Sequence, residues 1–404
     1  MIHSIKILSL SSRTEEELAS DLGRSGVSPE GVRIMAGKGI ILPLKIFRVP
    51  VTEANILKQE MLSLGADAAV SSGTVDHSAV YTDLILLGTG KTYLELVSRI
   101  RRHNFRFLTA LAAELESFPD QRIRIFKVGE KQYELGRRYL MGILNLTPDS
   151  FYAGSRLKSI DEALGRADRM AEDGADFLDL GAESTRPGAD SVSAEDELSR
   201  LLPLVRALKK RKVPPLSIDT YKSAVAAACL SEGAEIVNDI SGLDFDAKMA
   251  EIVAESGATV CLMHIKGTPK DMQKNPLYHD LISEVYTELS RKKERALQAG
   301  IEPERIMLDP GIGFGKSVSD NFVLIRRLSE FRSLRCPLLL GLSRKSFIGA
   351  TIGGKPPEQR LNGSTVLHTL GVLGGADILR VHDVAEAKET LLLFNAWQEG
   401  YDYP

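Results

Sequence analysis

From residue 139 onward, short apolar runs alternate with longer amphipathic stretches. The runs lie at 139–144, 177–180, 215–218, 235–237, 259–263, 305–308, 337–340 and 378–381. Their length and mostly apolar content predict short strands. Apolar positions at helical spacing follow each run, near 160–173, 194–211, 221–232, 245–256, 280–299, 319–334, 360–374 and 384–397. Strand–helix alternation implies parallel pairing. Eight such units in about 265 residues fit a closed (β/α)8 TIM barrel better than an open sheet. Gly174-Ala175, Gly233-Ala234, Gly257-Ala258, Gly300-Ile301 and Gly375-Ala376 end five of the helical stretches. Glycine relieves a left-handed helix cap, so these pairs mark the helix-to-strand turns on one face of the barrel. The strand-to-helix loops after the first two runs are long, and long loops on the opposite face usually serve a ligand.

The first 130 residues follow a different pattern. They predict a smaller α/β domain over 1–130 that precedes a barrel over 131–404. Residues 5–10 and 84–87 read as strands. Residues 14–22 and 52–64 read as helices, the second with Thr52 as its N-cap. The stretch 32–49 is rich in Ile, Leu and Val and broken by Gly37, Gly39 and Pro43, which predicts a strand pair. Residues 119–136 are charged and read as a linker. Gly88-Thr-Gly-Lys-Thr92 looks like a P-loop, but Ile85 stands where that motif needs its first glycine. A plain strand-to-helix turn is the expectation. Arg99, Arg101, Arg102, His103 and Arg106 cluster at a predicted helix end, where a solvated basic end suits the helix dipole. With no assignable motif, this domain is expected to be an oligomerisation or regulatory appendage.

Composition narrows the class. The 404 residues are 43% apolar and 26% charged with a net charge of -3, an ordinary globular balance without global attraction for nucleic acid or anionic membrane. No apolar run reaches the about 18 residues of a membrane span. Residues 1–10 carry His3 and Lys6 inside a short alternating run, unlike a signal peptide. Cys229, Cys261 and Cys336 form no Cys-x-x-Cys pair. They read as buried thiols in a reducing, cytoplasmic compartment, with no zinc site.

The candidate chemistry lies at the ends of the predicted strands, where barrel enzymes keep their sites. Those ends carry Asn145, Asp179, Asp219, Asn238, His264, Asp309, Ser343-Arg344-Lys345, and Arg380 with His382. Asp219, Asn238 and Asp309 are acceptors and amides suited to a heterocycle rich in N–H donors. Arg344, Lys345, Arg380 and His382, with Arg186 on a loop, form a cationic rim suited to a phosphate or pyrophosphate. Mutual pairing of these charges is the alternative, expected to hold for one pair and not for the whole ring. After Asp309, Gly311, Gly313 and Gly315 permit backbone angles closed to other residues. Their spacing is not that of a dinucleotide fingerprint, because the third glycine falls one position early.

The motifs in order are Met141-Gly-Ile-Leu-Asn145-Leu-Thr147-Pro-Asp149-Ser-Phe151, Glu183-Ser-Thr185-Arg186-Pro187-Gly188, Ser217-Ile-Asp219-Thr220, Asn238-Asp239, Asp309-Pro-Gly-Ile-Gly-Phe314-Gly-Lys316, Gly341-Leu-Ser343-Arg344-Lys345-Ser346-Phe347 and Arg380-Val-His382-Asp383-Val. Over about residues 138–398 the chain resembles the dihydropteroate synthase family. The resemblance implies a TIM barrel that condenses 6-hydroxymethyl-7,8-dihydropterin pyrophosphate with 4-aminobenzoate, releasing pyrophosphate. It also implies Mg2+, a homodimer and membership of a family that sulfonamides target.

Carried over position by position, the resemblance implies that Asp219, Asn238 and Asp309 hold the amino and ring N–H edge of the pterin. Met263 lines that pocket and Lys345 reaches the pterin's oxygen and nitrogen side. Arg380, His382 and Asn145 hold the pyrophosphate, with Asn145 also a ligand of Mg2+. Thr185, Arg186 and Pro187 lie over 4-aminobenzoate, Phe314 packs near its ring, and Ser343 binds its carboxylate. Asp219, Lys345, Arg380 and His382 form the catalytic set. Two departures stand out: Ile265-Lys266 replaces the family's Met-Gln and adds a charge beside the pterin pocket, and Ala153 stands where an aspartate is usual. The nearest rival is a methyltetrahydrofolate-dependent corrinoid methyltransferase, which shares the Asp–Asn–Asp edge but has no need of the cationic rim. A non-catalytic pterin-binding protein predicts loss of that rim.

Overall fold

The computed structural model describes residues 14–74, 78–117, 125–146, 156–183 and 192–399. It divides into two compact units, Met1–Gln121 and Arg122–Pro404. The first comprises α1 (Glu15–Arg24), α2 (Pro29–Gly39), β1 (Leu42–Pro50), α3 (Val51–Ser63), β2 (Asp67–Ala69), β3 (Tyr81–Gly88), α4 (Gly90–Ile100) and α5 (Arg106–Ser117). Its sheet has the order β1-β3-β2 with antiparallel pairing. Residues alternate in β3, with Leu84 and Leu86 buried against Leu57, Met61, Leu96, Ile100 and Leu108.

The predicted strand pair over 32–49 is half helix: Pro29 sits at a helix start, and Ser28 caps it by accepting a hydrogen bond from the Gly31 amide at 3.2 Å. Those two local signals outweigh the apolar content. Helix α3 begins at Val51, after Pro50, and has no side-chain cap, so Thr52 does not serve as one. Gly88–Thr92 is a strand-to-helix turn in which Thr89 and Thr92 cap α4 reciprocally. In the basic cluster, Arg99 and His103 pair with Glu60 and Arg101 pairs with Glu116. The predicted strand at 5–10 lies outside the described residues.

The second unit opens with a hairpin, β4 (Ile125–Val128) and β5 (Lys131–Glu134). The expected boundary after residue 130 therefore cuts through this hairpin, and the charged stretch read as a linker is partly strand. The reason is its alternation: Phe126 and Val128 are buried while Lys127 and Lys131 stay at the surface. Phe126 and Val128 join Tyr139, Met141, Phe177, Ile236, Cys261, Met307, Leu339 and Ile378 in one cluster. Those partners lie on strands of the barrel that follows, near their N-terminal ends, so the hairpin closes the bottom of the barrel.

The barrel strands are β6 (Tyr139–Asn145), β7 (Phe177–Gly181), β8 (Leu216–Asp219), β9 (Ile236–Asp239), β10 (Thr259–Met263), β11 (Ile306–Asp309), β12 (Leu339–Leu340) and β13 (Ile378–Val381). They pair in parallel in the order β11-β10-β9-β8-β7-β6-β13-β12. A bridge between Leu308 and Leu338 closes the ring. Around it run α6 (Arg156–Glu172), α7 (Ala194–Leu208), α8 (Ser223–Ser231), α9 (Met249–Ser256), α10 (Leu281–Gln298), α11 (Val318–Arg326), α12 (Ser346–Thr351), α13 (Leu361–Leu373) and α14 (Val384–Glu399). The eight runs read from the sequence are these eight strands. Outward-facing Leu140, Leu178, Leu216, Val237, Leu262 and Leu308 pack under the helices, which is why the outward positions of the runs are apolar. The helix predicted over 319–334 is instead α11 followed by a tighter 3-10 turn at Leu328–Leu334. Gly174, Gly233, Gly257, Gly300 and Gly375 all have φ between 65° and 100°, as a left-handed turn at a helix end requires. Cys229, Cys261 and Cys336 are buried and free. Among the described residues, no helix is long and apolar enough to cross a membrane.

The hairpin's place in the core makes a prediction. Phe126→Ala should destabilise the full chain by about 3–5 kcal/mol in urea unfolding followed by circular dichroism. A loss below about 1 kcal/mol would remove its role as the barrel's lower plug.

Candidate active site

Four neighbouring strands end in the residues that form the mouth of the barrel. Asp219 of β8 and Asn238 of β9 are register partners, as are Met263 of β10 and Asp309 of β11. Asn238, Met263 and Asp309 are buried. From the far side, Arg380 of β13 reaches across the ring. Its Nε donates to Asp179 Oδ2 at 2.5 Å and its Nη2 to Asp219 Oδ2 at 2.7 Å. Asn238 Nδ2 donates to the same Asp179 oxygen at 3.2 Å. Gly181 leaves room for the Asn145 and Asp219 side chains on either side of it: a Cβ there would lie 3.0 Å from Asn145 Oδ1 and 3.5 Å from Asp219 Cβ.

Burial sets the charge states. It raises Asp219 to about 7, against the pull of Arg380 and with added repulsion from Asp179. Asp309 is also raised by burial, with Lys345 opposing. Burial works against Arg380 as a cation, but Asp179 and Asp219 outweigh it and hold the guanidinium firmly protonated. Burial lowers Lys345 to about 8, with Asp309 pulling the other way.

The loop after β11 is shaped by its glycines. At Gly311, with φ 71°, a Cβ would fall 1.8 Å from the His264 carbonyl oxygen. No other residue fits that approach. The Gly311 amide donates to Asp309 Oδ1 at 2.7 Å, fixing the carboxylate. Below the loop, the buried Lys316 Nζ donates to His264 Nδ1 at 2.9 Å, to Phe314 O at 2.9 Å and to His264 O at 3.3 Å. His264, a strand end in the sequence, is thus a partner of Lys316. Burial and that ammonium keep its imidazole neutral. A second buried lysine, Lys292, ties Ser241 O and Met263 O at 2.6 and 2.9 Å. Phe314 is half-buried with Lys345 Nζ 4.5 Å above its ring centre, and Lys345 also donates to the Ile312 carbonyl.

The cationic rim differs from the expectation. Pairing holds for more than one member: Arg380 has two carboxylates, and Arg344 binds Asp383 with both arms of its guanidinium at 2.9 and 2.6 Å. Arg344 sits in the left-handed region at φ 57°. Burial first, then Arg380, lowers His382 to about 4. It is a neutral hydrogen-bonding ring at pH 7, not a cation. Its amide donates to Ser343 Oγ at 3.2 Å and its Nδ1 lies 3.0 Å from the same oxygen. The buried Ser343 hydroxyl is therefore engaged as a tie between the loops after β12 and β13. The exposed hydroxyl at this point is Ser346, the first residue of α12, which the sequence reading passed over.

Lys266 adds no charge to the pocket. It donates to the Leu277 carbonyl, pairs with Glu284 at 3.3 Å and lies 4.1 Å from the centre of the Tyr278 ring. Thr185, Arg186 and Pro187, with Ala153, lie outside the described residues. The residues flanking 184–191 are held together: Glu183 accepts from Val192 N at 3.3 Å, from Tyr221 Oη at 2.9 Å and from Lys222 Nζ, which also pairs with the fully buried Glu197 at 2.8 Å. This network carried no signal beyond the acidic residue of its motif. Among the described residues, no group of three or more His, Cys, Asp or Glu side chains could hold a metal. The exposed Asn145 offers one neutral oxygen beside Asp219.

The arrangement pairs an acceptor-lined pocket with a protonated guanidinium, which suits a flat N–H-rich ring bearing an anionic substituent. Comparison with known proteins agrees. The model of the family described as pterin binding enzyme matches residues 141–382. A dihydropteroate synthase of Synechocystis is 44% identical over 258 residues, 64% of this chain and 89% of that protein. A probable bifunctional folylpolyglutamate synthase/dihydropteroate synthase of Halobacterium salinarum is 38% identical over 381 residues, 94% of this chain and 46% of that protein. The crystal structure of Yersinia pestis dihydropteroate synthase with a sulfonamide drug matches with a TM-score of 0.65 and 41% identity, over 68% of this chain and all of that one.

Proposed function

The chain belongs to the pterin-binding enzyme family, in which it is a dihydropteroate synthase, and we propose from this how its own residues share the reaction. It condenses 6-hydroxymethyl-7,8-dihydropterin pyrophosphate with 4-aminobenzoate to give 7,8-dihydropteroate and pyrophosphate. The observation that carries the residue assignment is the row Asp219, Asn238 and Asp309 joined to Arg380 at the barrel mouth. In this reading the row accepts from the pterin's amino and ring N–H groups, Met263 packs on the ring, and Lys345 donates to its oxygen and nitrogen side. Arg380, His382 and Asn145 take the pyrophosphate. Phe314 flanks 4-aminobenzoate, with Thr185, Arg186 and Pro187 as further contacts. Its carboxylate falls to Ser346, since Ser343 is engaged by His382.

Asn145 fits a divalent cation as one oxygen ligand. Mg2+ typically keeps waters and substrate phosphate oxygens around one or two protein ligands, so the absence of a carboxylate cluster among the described residues suits an ion that arrives with the substrate. When bound, Mg2+ supplies neutralisation of the leaving pyrophosphate. Arg380 supports the same charge from the protein side, and neutral His382 donates a hydrogen bond to it. Breaking the C–O bond leaves a cationic methylene conjugated to the pterin, which Asp219 offsets. The neutral arylamine then attacks, and no dedicated general base is required.

A pyrophosphate-release assay tests this division. Release should depend on 4-aminobenzoate with dihydropteroate formed in step, and Asp219→Asn should lower kcat well beyond threefold. A change within about threefold, a fraction of a kcal/mol, would remove its cation-stabilising role. Lys345 sets an alkaline limit. The cationic form binds the substrate and is lost as pH rises through about 8. kcat/KM for the pterin substrate should therefore fall about tenfold per pH unit above that point. Lys345→Arg should move the limb upward, and an unmoved limb would assign it to another group.

Two further proposals concern assembly. Val366, Leu370 and Leu373 on α13 and Leu392, Leu393 and Trp397 on α14 are exposed on adjacent helices. Such a face is suited to a homodimer. The Halobacterium alignment must run through most of the first unit, which we place outside the chemistry as an appendage to the barrel. Analytical ultracentrifugation separates the two: the full chain and residues 122–404 should both sediment as dimers, and Leu370→Glu with Leu393→Glu should give monomers. A monomeric 122–404 would move dimerisation to the first unit. We place the enzyme in the cytoplasm, where its three free thiols stay reduced. Retention of free thiols in protein fractionated from the cytosol checks that placement.

A further inference from the structure

We infer that Asp179 is a positioning residue that sets which end of the Asn238 amide meets the pterin. Asp179 lies on β7 one layer below the pocket floor: Gly181 pairs in register with Asp219, and Asp179 with Ser217. It is completely buried. Its Oδ2 accepts from both Arg380 Nε and Asn238 Nδ2, while its Oδ1 has no partner among the described residues. A buried carboxylate with one idle oxygen is a costly way to hold a barrel together, which asks for a role beyond stability.

The chemistry of the pair supplies one. A carboxylate only accepts. Facing Asn238, it admits the amide in a single orientation, with Nδ2 toward Asp179 and Oδ1 directed elsewhere. An asparagine with no such neighbour can turn either way. The pocket wall then presents acceptors from Asp219, Asn238 and Asp309 together, and the ligand edge assigned to them consists of donors. A flipped Asn238 would set NH2 against N–H and lose that match. The same Asp179 oxygen pins Arg380 at Nε. With Nη2 on Asp219, Nη1 is the edge left for an anion among the described residues. One buried oxygen thus aligns an acceptor for the ring and a cation for its substituent. The inference rests on the pterin edge assigned to Asn238 above.

Steady-state kinetics of the full chain test it, with KM for the pterin pyrophosphate and for 4-aminobenzoate measured separately. Asp179→Leu removes the shared acceptor and so frees Asn238 to turn. It should raise the pterin KM at least tenfold and leave the 4-aminobenzoate KM within twofold. Asn238→Ala should also raise the pterin KM, and the double variant should fall well short of the product of the two single effects, because the orientation being set is gone and only the hold on Arg380 is left to lose. If Asp179→Leu does not fold, Asp179→Ser, too short to hold the amide, should show the same split. Asp179→Asn, whose amide oxygen can still accept from Arg380 and Asn238 together, should recover most of the pterin KM. A pterin KM within twofold of the parent in a folded Leu or Ser variant overturns the inference, as do fully multiplicative effects in the double variant. If Asn238→Ala itself leaves the pterin KM unchanged, the edge assignment fails instead.

Discussion

The centre of this molecule is a guanidinium held between two carboxylates. Arg380 enters the barrel mouth from the last strand and is bound by Asp179 and Asp219 from the second and third. Each of these charges is expensive to take out of water alone, and together they are tolerable because every one has a near, well-oriented partner. The consequence is a rigid polar floor. Asn238 hangs on Asp179, Asp309 is fixed by the Gly311 amide, and Gly181 stays small so that Asn145 and Asp219 can flank it. A site organised in this way before the ligand arrives has little reorganisation left to do in the reaction.

Opposite ends of the barrel answer to different physics. The bottom is an apolar plug: Phe126 from the hairpin meets Tyr139 edge-on at 5.5 Å and touches the first residues of several strands. The top is polar and strained, with left-handed Arg344 and glycines that allow backbone contacts no side chain would permit. Two buried lysines mediate between these regimes. Lys292 and Lys316 donate to backbone carbonyls and one imidazole, and Lys292 also pairs with Asp244 at 3.4 Å, so they brace the loop bases beneath the pocket floor.

This division explains what could be read from the sequence. The eight strands are legible because burial leaves short, mostly apolar runs, and the five glycine-bounded turns because helix ends need left-handed residues. Most of the strand-end residues are legible for the same reason, since runs such as 139–144, 215–218, 235–237 and 305–308 stop at a polar side chain. What could not be read was who pairs with whom. Asp179 and Arg380 are separated by 201 positions, and nothing local says that Arg344 will turn to Asp383 or that Lys266 will turn to Glu284. The hairpin at 125–134 was mistaken for linker because alternation over four residues leaves only Phe126 and Val128 as apolar anchors. In 32–49 the apolar content was real, but Ser28 and Pro29 decided for helix from outside the window.

The pairing of Arg380 also bears on how the proposed reaction can proceed without a strong base. In the free enzyme the guanidinium is neutralised by carboxylates, so the mouth does not hold a bare cation that would trap any anion. In the proposed binding mode a pterin pyrophosphate makes two contacts at once: its phosphate oxygens reach the open edge of Arg380 and its ring N–H groups reach the Asp219 carboxylate, with the pair itself kept. Free pyrophosphate or unsubstituted pterin makes only one of them, which favours the joined substrate. As the C–O bond breaks, negative charge moves toward Arg380 and positive charge toward Asp219, the two groups the fold already keeps 2.7 Å apart. The charge separation of the transition state is thus laid along an ion pair that is present from the start, and an uncharged arylamine is sufficient to complete the bond.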